Sequence, residues 1–175
     1  LGYTYGHRAV GTLIEDKLGA VIRGRDAMAN GDLWLGMVAA IRNDGRPGLC
    51  SMGIAAVDIA LWDLKAKLFD VPLAEVLGKV RDSVPVYGSG GFTSYTTDTL
   101  QRQLGGWAES GMQWVKMKVG RHPDDDAARV RAAREAIGQR CGLMVDANGA
   151  YAHKQALAMS EAFAASGVVW YEEPV

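Results

Sequence analysis

Three short stretches carry the residues able to do chemistry: "WVKMKVG" (Trp114–Gly120), "LMVDANG" (Leu143–Gly149) and "VVWYEEP" (Val168–Pro174). Each reads as a β-strand, and side chains two apart on a strand share a face. Lys116 and Lys118 therefore point one way, and Val115, Met117 and Val119 the other. Asp146 and Asn148 share a face at the end of the second stretch. The third ends in Glu172-Glu173, of which only one can face inward. Carboxylates closing two successive strands supply the oxygen donors that a hard divalent cation such as Mg²⁺ takes while keeping room for substrate oxygens. Each feature alone has a plain structural reading. Two strand lysines suit a solvated edge, Asp-x-Asn suits a helix cap, and a glutamate pair suits a solvated rim. The order lysine pair, acid, acid on three consecutive strands is far more specific than its parts.

The elements that must position these residues begin at Val84. There "VPVYGSGG" opens an alternation with helices over Asp98–Glu109, Asp124–Ile137 and Lys154–Ala165. Strand starts at Val84, Trp114, Leu143 and Val168 lie 25 to 30 residues apart, the period of a βα repeat and the signature of a parallel sheet. Spacing leaves an open sheet and a closed barrel both possible. Gly120 and the helix start in "RHPDDD" place the lysines at the carboxyl end of their strand, where barrel enzymes keep their chemistry.

The part before Val84 reads as helical. The pairs Leu13-Ile14, Lys17-Leu18 and Val21-Ile22 carry an apolar stripe four residues apart, expected to end near Asn30-Gly31. A second helix is expected over Leu33–Ile41, stopped by "NDGRPG". In "MGIAAVDIALWDLKAKLF" the residues from Ile54 to Leu64 are apolar nearly all round, which predicts a helix covered on most sides. Lys65 and Lys67 emerge at its carboxyl end, where the dipole favours them.

The chain has 175 residues, a formal net charge of −1 and 49% hydrophobic residues. With acids and bases interspersed it offers no basic stripe for nucleic acid and no polybasic segment for a membrane. No apolar run approaches the roughly 20 residues of a spanning helix, and a signal-peptide pattern is missing from the first residues. Cys50 and Cys141 lack disulfide-framework or zinc spacing, so a reducing cytoplasm is the default location. "LGYTYGH" resembles the tail of a strand, and "YEEPV" closes the fourth strand, so a piece of a longer protein is expected. The glycines of "YGSGGFTSY" lack the Lys-Ser/Thr of a phosphate cradle and the dinucleotide spacing. They read as a loop at the barrel mouth, where Ser94 and Tyr95 are candidates to line a pocket. His7, His122 and His153 read as loop or helix-start residues, and the five tryptophans as packing residues.

"GIAAVDIALWDLKAKLFDVPLAEVLG", "VKMKVG", "VDANGAY" and "WYEEPV" together resemble the enolase superfamily, and within it the mandelate racemase and muconate-lactonising enzyme group. The resemblance implies an α/β fold. Residues 1–80 would be the helical portion of an α+β capping domain, and 81–175 the first four βα units of a modified TIM barrel. It implies Asp146 and Glu172 as ligands of Mg²⁺ or Mn²⁺, with Glu173 a supporting residue. Lys118 matches the general base, Lys116 the neighbour that touches the substrate carboxylate, and Asn148 a position beside the substrate or the metal. Tyr95 is expected at the substrate. The third metal ligand and the base on the opposite face are expected on later strands that this chain lacks.

The implied activity is metal-dependent removal of the α-proton of a small carboxylate substrate to give an enediolate. A sugar-acid (hydroxy-acid) dehydratase is the leading expectation. A racemase, epimerase or cycloisomerase of the same superfamily, or a non-catalytic half barrel, is the alternative. A cytoplasmic homo-oligomer, dimer to octamer, with no nucleic-acid or membrane partner is expected. A free lysine, with a pKa of about 10.4, is protonated at neutral pH. Burial, a second ammonium two residues away and a metal ion all disfavour that charged form. Lys116 is thus expected to help make Lys118 a base.

Overall fold

The computed structural model describes residues 1–175, which divide into two compact units, Leu1–Asp82 and Ser83–Val175. The first is all helix. α1 (Ala9–Leu13) runs through a π-helical turn (Ile14–Leu18) into α2 (Gly19–Ile22), followed by α3 (Asn30–Ala40), α4 (Leu49–Leu68) and α5 (Leu73–Val76). Leu18, Leu33, Met37, Ile41, Ile54, Val57 and Leu61 form its core.

Two expectations for this unit change. The first helical run stops at Ile22 rather than near Asn30-Gly31, and Asn30 instead opens α3. The break is local chemistry: Arg23 is extended, Gly24 takes φ +72°, and the Asp26 side chain accepts the Met28 N–H at 2.9 Å, a side-chain turn that competes with helix. In α4, Cys50, Ile54, Val57 and Leu61 recur at helical spacing and are buried, but Ile59, Leu64 and Leu68 are exposed. Within this unit the helix is packed along one face only, because α1 to α3 supply partners for a single stripe.

The second unit is a parallel sheet of four strands in the order β1-β2-β3-β4, namely Gly88–Gly90, Trp114–Lys118, Gly142–Asp146 and Val168–Glu172. The intervening helices are α6 (Thr97–Glu109), α7 (Pro123–Ile137) and α8 (His153–Ala164). Sequential parallel strands linked by helices are successive βα units, the fourth present through its strand. The apolar strand face, Val115, Met117, Leu143 and Val145, is fully buried against Leu100, Leu104, Val130, Ala133 and Phe163. The alternation read from "WVKMKVG" is therefore the alternation observed. α6 is capped by the Thr96 hydroxyl, which accepts the Thr99 N–H at 3.2 Å. α7 opens on Pro123 with Asp124, Asp125 and Asp126 in its first turn, as helix starts favour.

The first strand departs from expectation. It does not begin at Val84 but comprises Gly88, Ser89 and Gly90, paired with Val115, Lys116 and Met117, while Val84 and Val86 are exposed. α6 lies so close that a Cβ on Gly88 would stand 2.4 Å from Trp107, and one on Gly90 2.4 Å from Gln103 Oε1. Close approach of the helix, not β propensity, selects the residues of this strand.

Candidate active site

The in-register pairs Lys118↔Asp146 and Asp146↔Glu172 place the three strand ends side by side. Lys118 Nζ lies 2.5 Å from Asp146 Oδ2. Lys116 Nζ lies 2.7 Å from Glu172 Oε2 and 3.7 Å from Asp146 Oδ2, and 5.1 Å from the centre of the Tyr87 ring. Lys116 and Asp146 are 5% and 1% exposed, while Lys118 and Glu172 are partly exposed, so this is a four-residue charge cluster with a buried inner pair and an open outer side. Trp170 Nε1 donates to Glu172 Oε2 at 3.2 Å.

Asn148 braces Asp146 from the following loop. Its N–H donates to Oδ1 at 2.9 Å, and its Nδ2 reaches Oδ2 at 3.4 Å and Glu173 Oε2 at 3.2 Å. Asn148 and Glu173 both adopt left-handed backbone, φ +48° and +42°, a conformation that asparagine tolerates better than most residues. The two strand-end loops are also tied through Ala147 N–H to the Glu172 carbonyl at 3.1 Å and Gly149 N–H to the Glu173 carbonyl at 2.8 Å.

Burial alone would raise the Asp146 pKa. The Lys118 ammonium, the Asn148 N–H and the charge of Lys116 outweigh it and hold the carboxyl below its ordinary value. For Lys116, burial pushes the pKa down, but Glu172 and Tyr87 more than reverse this and hold it above the ordinary lysine value. The structure gives each lysine an acid partner that the sequence does not show: Lys118 pairs with Asp146 on the adjacent strand, and Lys116 with Glu172 two strands away.

Asp146 and Glu172 offer oxygen donors only, and one cation, the Lys116 ammonium, already reaches both. The pair therefore fits two positions in the shell of a hard divalent ion. No group of three or more His, Cys, Asp or Glu side chains gathers to hold a metal, and two carboxylates are fewer donors than a full shell needs.

Tyr95 and Ser94 lie on the loop between β1 and α6. The Tyr95 ring meets Phe92 edge to face at 5.5 Å and its carbonyl accepts from Arg129, with no hydrogen bond to the charge cluster. His153 opens α8 and is exposed, and His122 precedes α7.

Sequence reasoning passed over Tyr87, Arg129 and Asp126, and it read Trp170 as a packing residue, whereas Trp170 is exposed and donates to Glu172. Asp126 is buried, and its Oδ2 accepts from Gly120 N–H at 2.8 Å and Tyr151 Oη–H at 2.5 Å, joining the loop after β2 to the loop after β3. As the third member of "DDD" it carried no signal of its own. For Tyr87, the two-residue alternation through Ser89 was the available clue.

Residues 2–78 match the model of the mandelate racemase / muconate lactonizing enzyme N-terminal domain, and residues 99–175 that of the enolase C-terminal domain-like family. The fold and both matches place this chain in the mandelate racemase / muconate lactonizing enzyme family of the enolase superfamily, to which it belongs. It superposes with a TM-score of 0.93 on a mandelate racemase/muconate lactonizing enzyme-like protein from Rubrobacter xylanophilus, 59% identical over 99% of this chain and 49% of that one. It is 38% identical to a 3,6-anhydro-alpha-L-galactonate cycloisomerase of Streptomyces coelicolor, over 99% of this chain and 50% of the relative. It is 34% identical to the L-talarate/galactarate dehydratase of Salmonella typhimurium, over 100% of this chain and 45% of that protein. The solved structure of that dehydratase, liganded with Mg and L-lyxarohydroxamate, matches 99% of this chain and 46% of its own with a TM-score of 0.84. The chain thus spans about half the length of the relatives it matches.

Proposed function

We propose that this chain carries one half of the site of a metal-dependent enzyme that removes the α-proton of a sugar acid, with dehydration as the outcome. The observation that carries the reading is the in-register triad Lys118, Asp146 and Glu172 at the carboxyl ends of adjacent parallel strands, with Lys116 between the two acids. Asp146 and Glu172 would hold a divalent cation, Mg²⁺ or Mn²⁺, whose charge lowers the energy of a carboxylate gaining negative charge. The magnesium in the Salmonella typhimurium dehydratase structure supports that assignment.

Lys118 is the general base. A base must be neutral when it acts, so Lys118 Nζ takes the proton from the α-carbon once its contact with Asp146 is given up, and the C–H bonding pair becomes the π-bond of an enediolate. Lys116, held as an ammonium, binds and orients the substrate carboxylate. Asn148 keeps Asp146 in place through two hydrogen bonds, and Tyr95 borders the substrate from the loop after β1. Loss of the β-hydroxyl, which takes up a proton and leaves as water while the enediolate electrons form the Cα–Cβ double bond, would complete a dehydration. Ring opening by the same first step would give a cycloisomerase, a reading favoured by the Streptomyces coelicolor relative.

A homo-oligomer in the cytoplasm is the expected setting. It is supported by two free, buried cysteines and by the family. No helix is long and apolar enough to cross a membrane. The test is Mg²⁺-dependent exchange of the α-proton for deuterium across a panel of sugar acids. Exchange that proceeds at the wild-type rate in Lys118→Ala would remove the base assignment.

A further inference from the structure

Arg129, on the second turn of α7, donates from both terminal nitrogens to main-chain carbonyls of the loop between β1 and α6. Nη1 reaches Tyr95 at 2.8 Å and Nη2 reaches Phe92 at 3.1 Å. The loop closes on itself through Tyr95 N–H to the Phe92 carbonyl at 2.9 Å. Its first residue is fixed at both ends, Gly91 N–H donating to Gln103 Oε1 at 2.8 Å and the Gly91 carbonyl accepting the Lys118 N–H at 3.1 Å. Gly91 has φ +55°, and a Cβ there would stand 2.6 Å from Met117 Cβ, so the loop leaves the sheet pressed against β2. The guanidinium is committed to carbonyls rather than to an acid, and its Nε is buried without a partner. Leaving the Nε of a partly buried guanidinium unpartnered is costly and is explained if the conformation of the loop matters.

We infer that Arg129 is a positioning residue that makes Phe92–Tyr95 a fixed wall beside Lys118, limiting what the distal end of the substrate can be. The inference rests on the proposed function, since it takes the substrate to lie at the carboxyl ends of β2 to β4. Ordering a loop backbone costs conformational entropy at every residue fixed. Two charge-assisted hydrogen bonds from one planar fork meet that cost before substrate arrives, which is how preorganisation improves binding. A lysine is a point charge and cannot span both carbonyls.

The test compares wild-type full chain with Arg129→Lys and Arg129→Met at saturating Mg²⁺. Galactarate serves as a long sugar-diacid probe and glycolate as a two-carbon hydroxy acid with no distal end. Calorimetry reads both affinities and that of Mg²⁺, and amide hydrogen exchange reads residues 91–96. In both variants, loop exchange is expected to speed up and galactarate affinity to fall about tenfold, roughly 1.4 kcal/mol, with glycolate and Mg²⁺ affinity unchanged. Unaltered loop exchange in Arg129→Met, rescue by Arg129→Lys, or equal loss of both acids would each overturn the wall. Failure of the underlying reading shows separately, as wild-type protein that binds neither acid in Mg²⁺, and takes the wall with it.

Discussion

Lys118 on β2 and Asp146 on β3 stand opposite one another in register, with Nζ and Oδ2 2.5 Å apart. One residue is the proposed base and the other a proposed metal ligand, so the variants that separate the two functions differ in kind. Lys118→Ala is expected to lower α-proton exchange on one face of the substrate by about 10²–10⁴-fold, the usual contribution of a general base. Its Mg²⁺ affinity should stay within a few-fold of wild type. Exchange followed by NMR in heavy water, with metal titration in parallel, checks both halves.

Asp146→Ala takes the acid partner from partly exposed Lys118 and the more distant of two from buried Lys116, which keeps Glu172. Breaking a fully buried pair from one side costs about 3–5 kcal/mol; the partial exposure of Lys118 puts this variant toward the lower end, and it should unfold at lower denaturant concentration. Glu172→Ala is expected to be milder, because Glu172 is partly exposed. In wild type, Mg²⁺ at a hundred times its Kd should stabilise the fold by about 2.7 kcal/mol, and chelation should remove that gain. Neither alanine variant should show the increment in thermal unfolding with and without Mg²⁺.

Asn148 can be tested without disturbing its left-handed backbone. Asn148→Gly accepts φ +48° freely and keeps the N–H to Asp146 Oδ1 while deleting the side-chain contacts. Supporting contacts of this kind are worth about 10–100-fold in metal affinity. Asn148→Gly is therefore expected to weaken Mg²⁺ binding within that range with little change in stability, read by calorimetry and thermal unfolding together.

The Tyr151–Asp126 bond makes an alkaline prediction. Burial, followed by the hydrogen bond to Asp126 and its charge, raises the Tyr151 pKa well above 10.0. A phenol whose folded pKa is raised contributes stability that is complete below its unfolded pKa. That contribution is lost as pH rises above about 10. Wild type should lose stability progressively over that range, and Tyr151→Phe should show a flatter profile. At neutral pH the same variant should be about 1–3 kcal/mol less stable, because buried Asp126 loses a donor. Denaturant midpoints from pH 7 to 11.5 decide it.

The shared face of Lys116 and Lys118, the acids closing the next two strands, and the βα alternation after Trp114 were legible from sequence. So were the starts of α6, α7 and α8 to within a residue. All of these follow from local rules: side-chain alternation on a strand, helical periodicity, and the residues that favour helix starts. Tertiary structure decided that β1 is three residues including two glycines, because only the approach of α6 excludes a Cβ there. It decided that Asp126 alone among three consecutive aspartates is buried, because Gly120 and Tyr151 meet it from two other loops. It also decided the crossed pairing of Lys118 with Asp146 and Lys116 with Glu172, since that depends on the register between strands and on how far each side chain reaches. Register and approach distance are relations between segments far apart in the chain, and no window of sequence contains them.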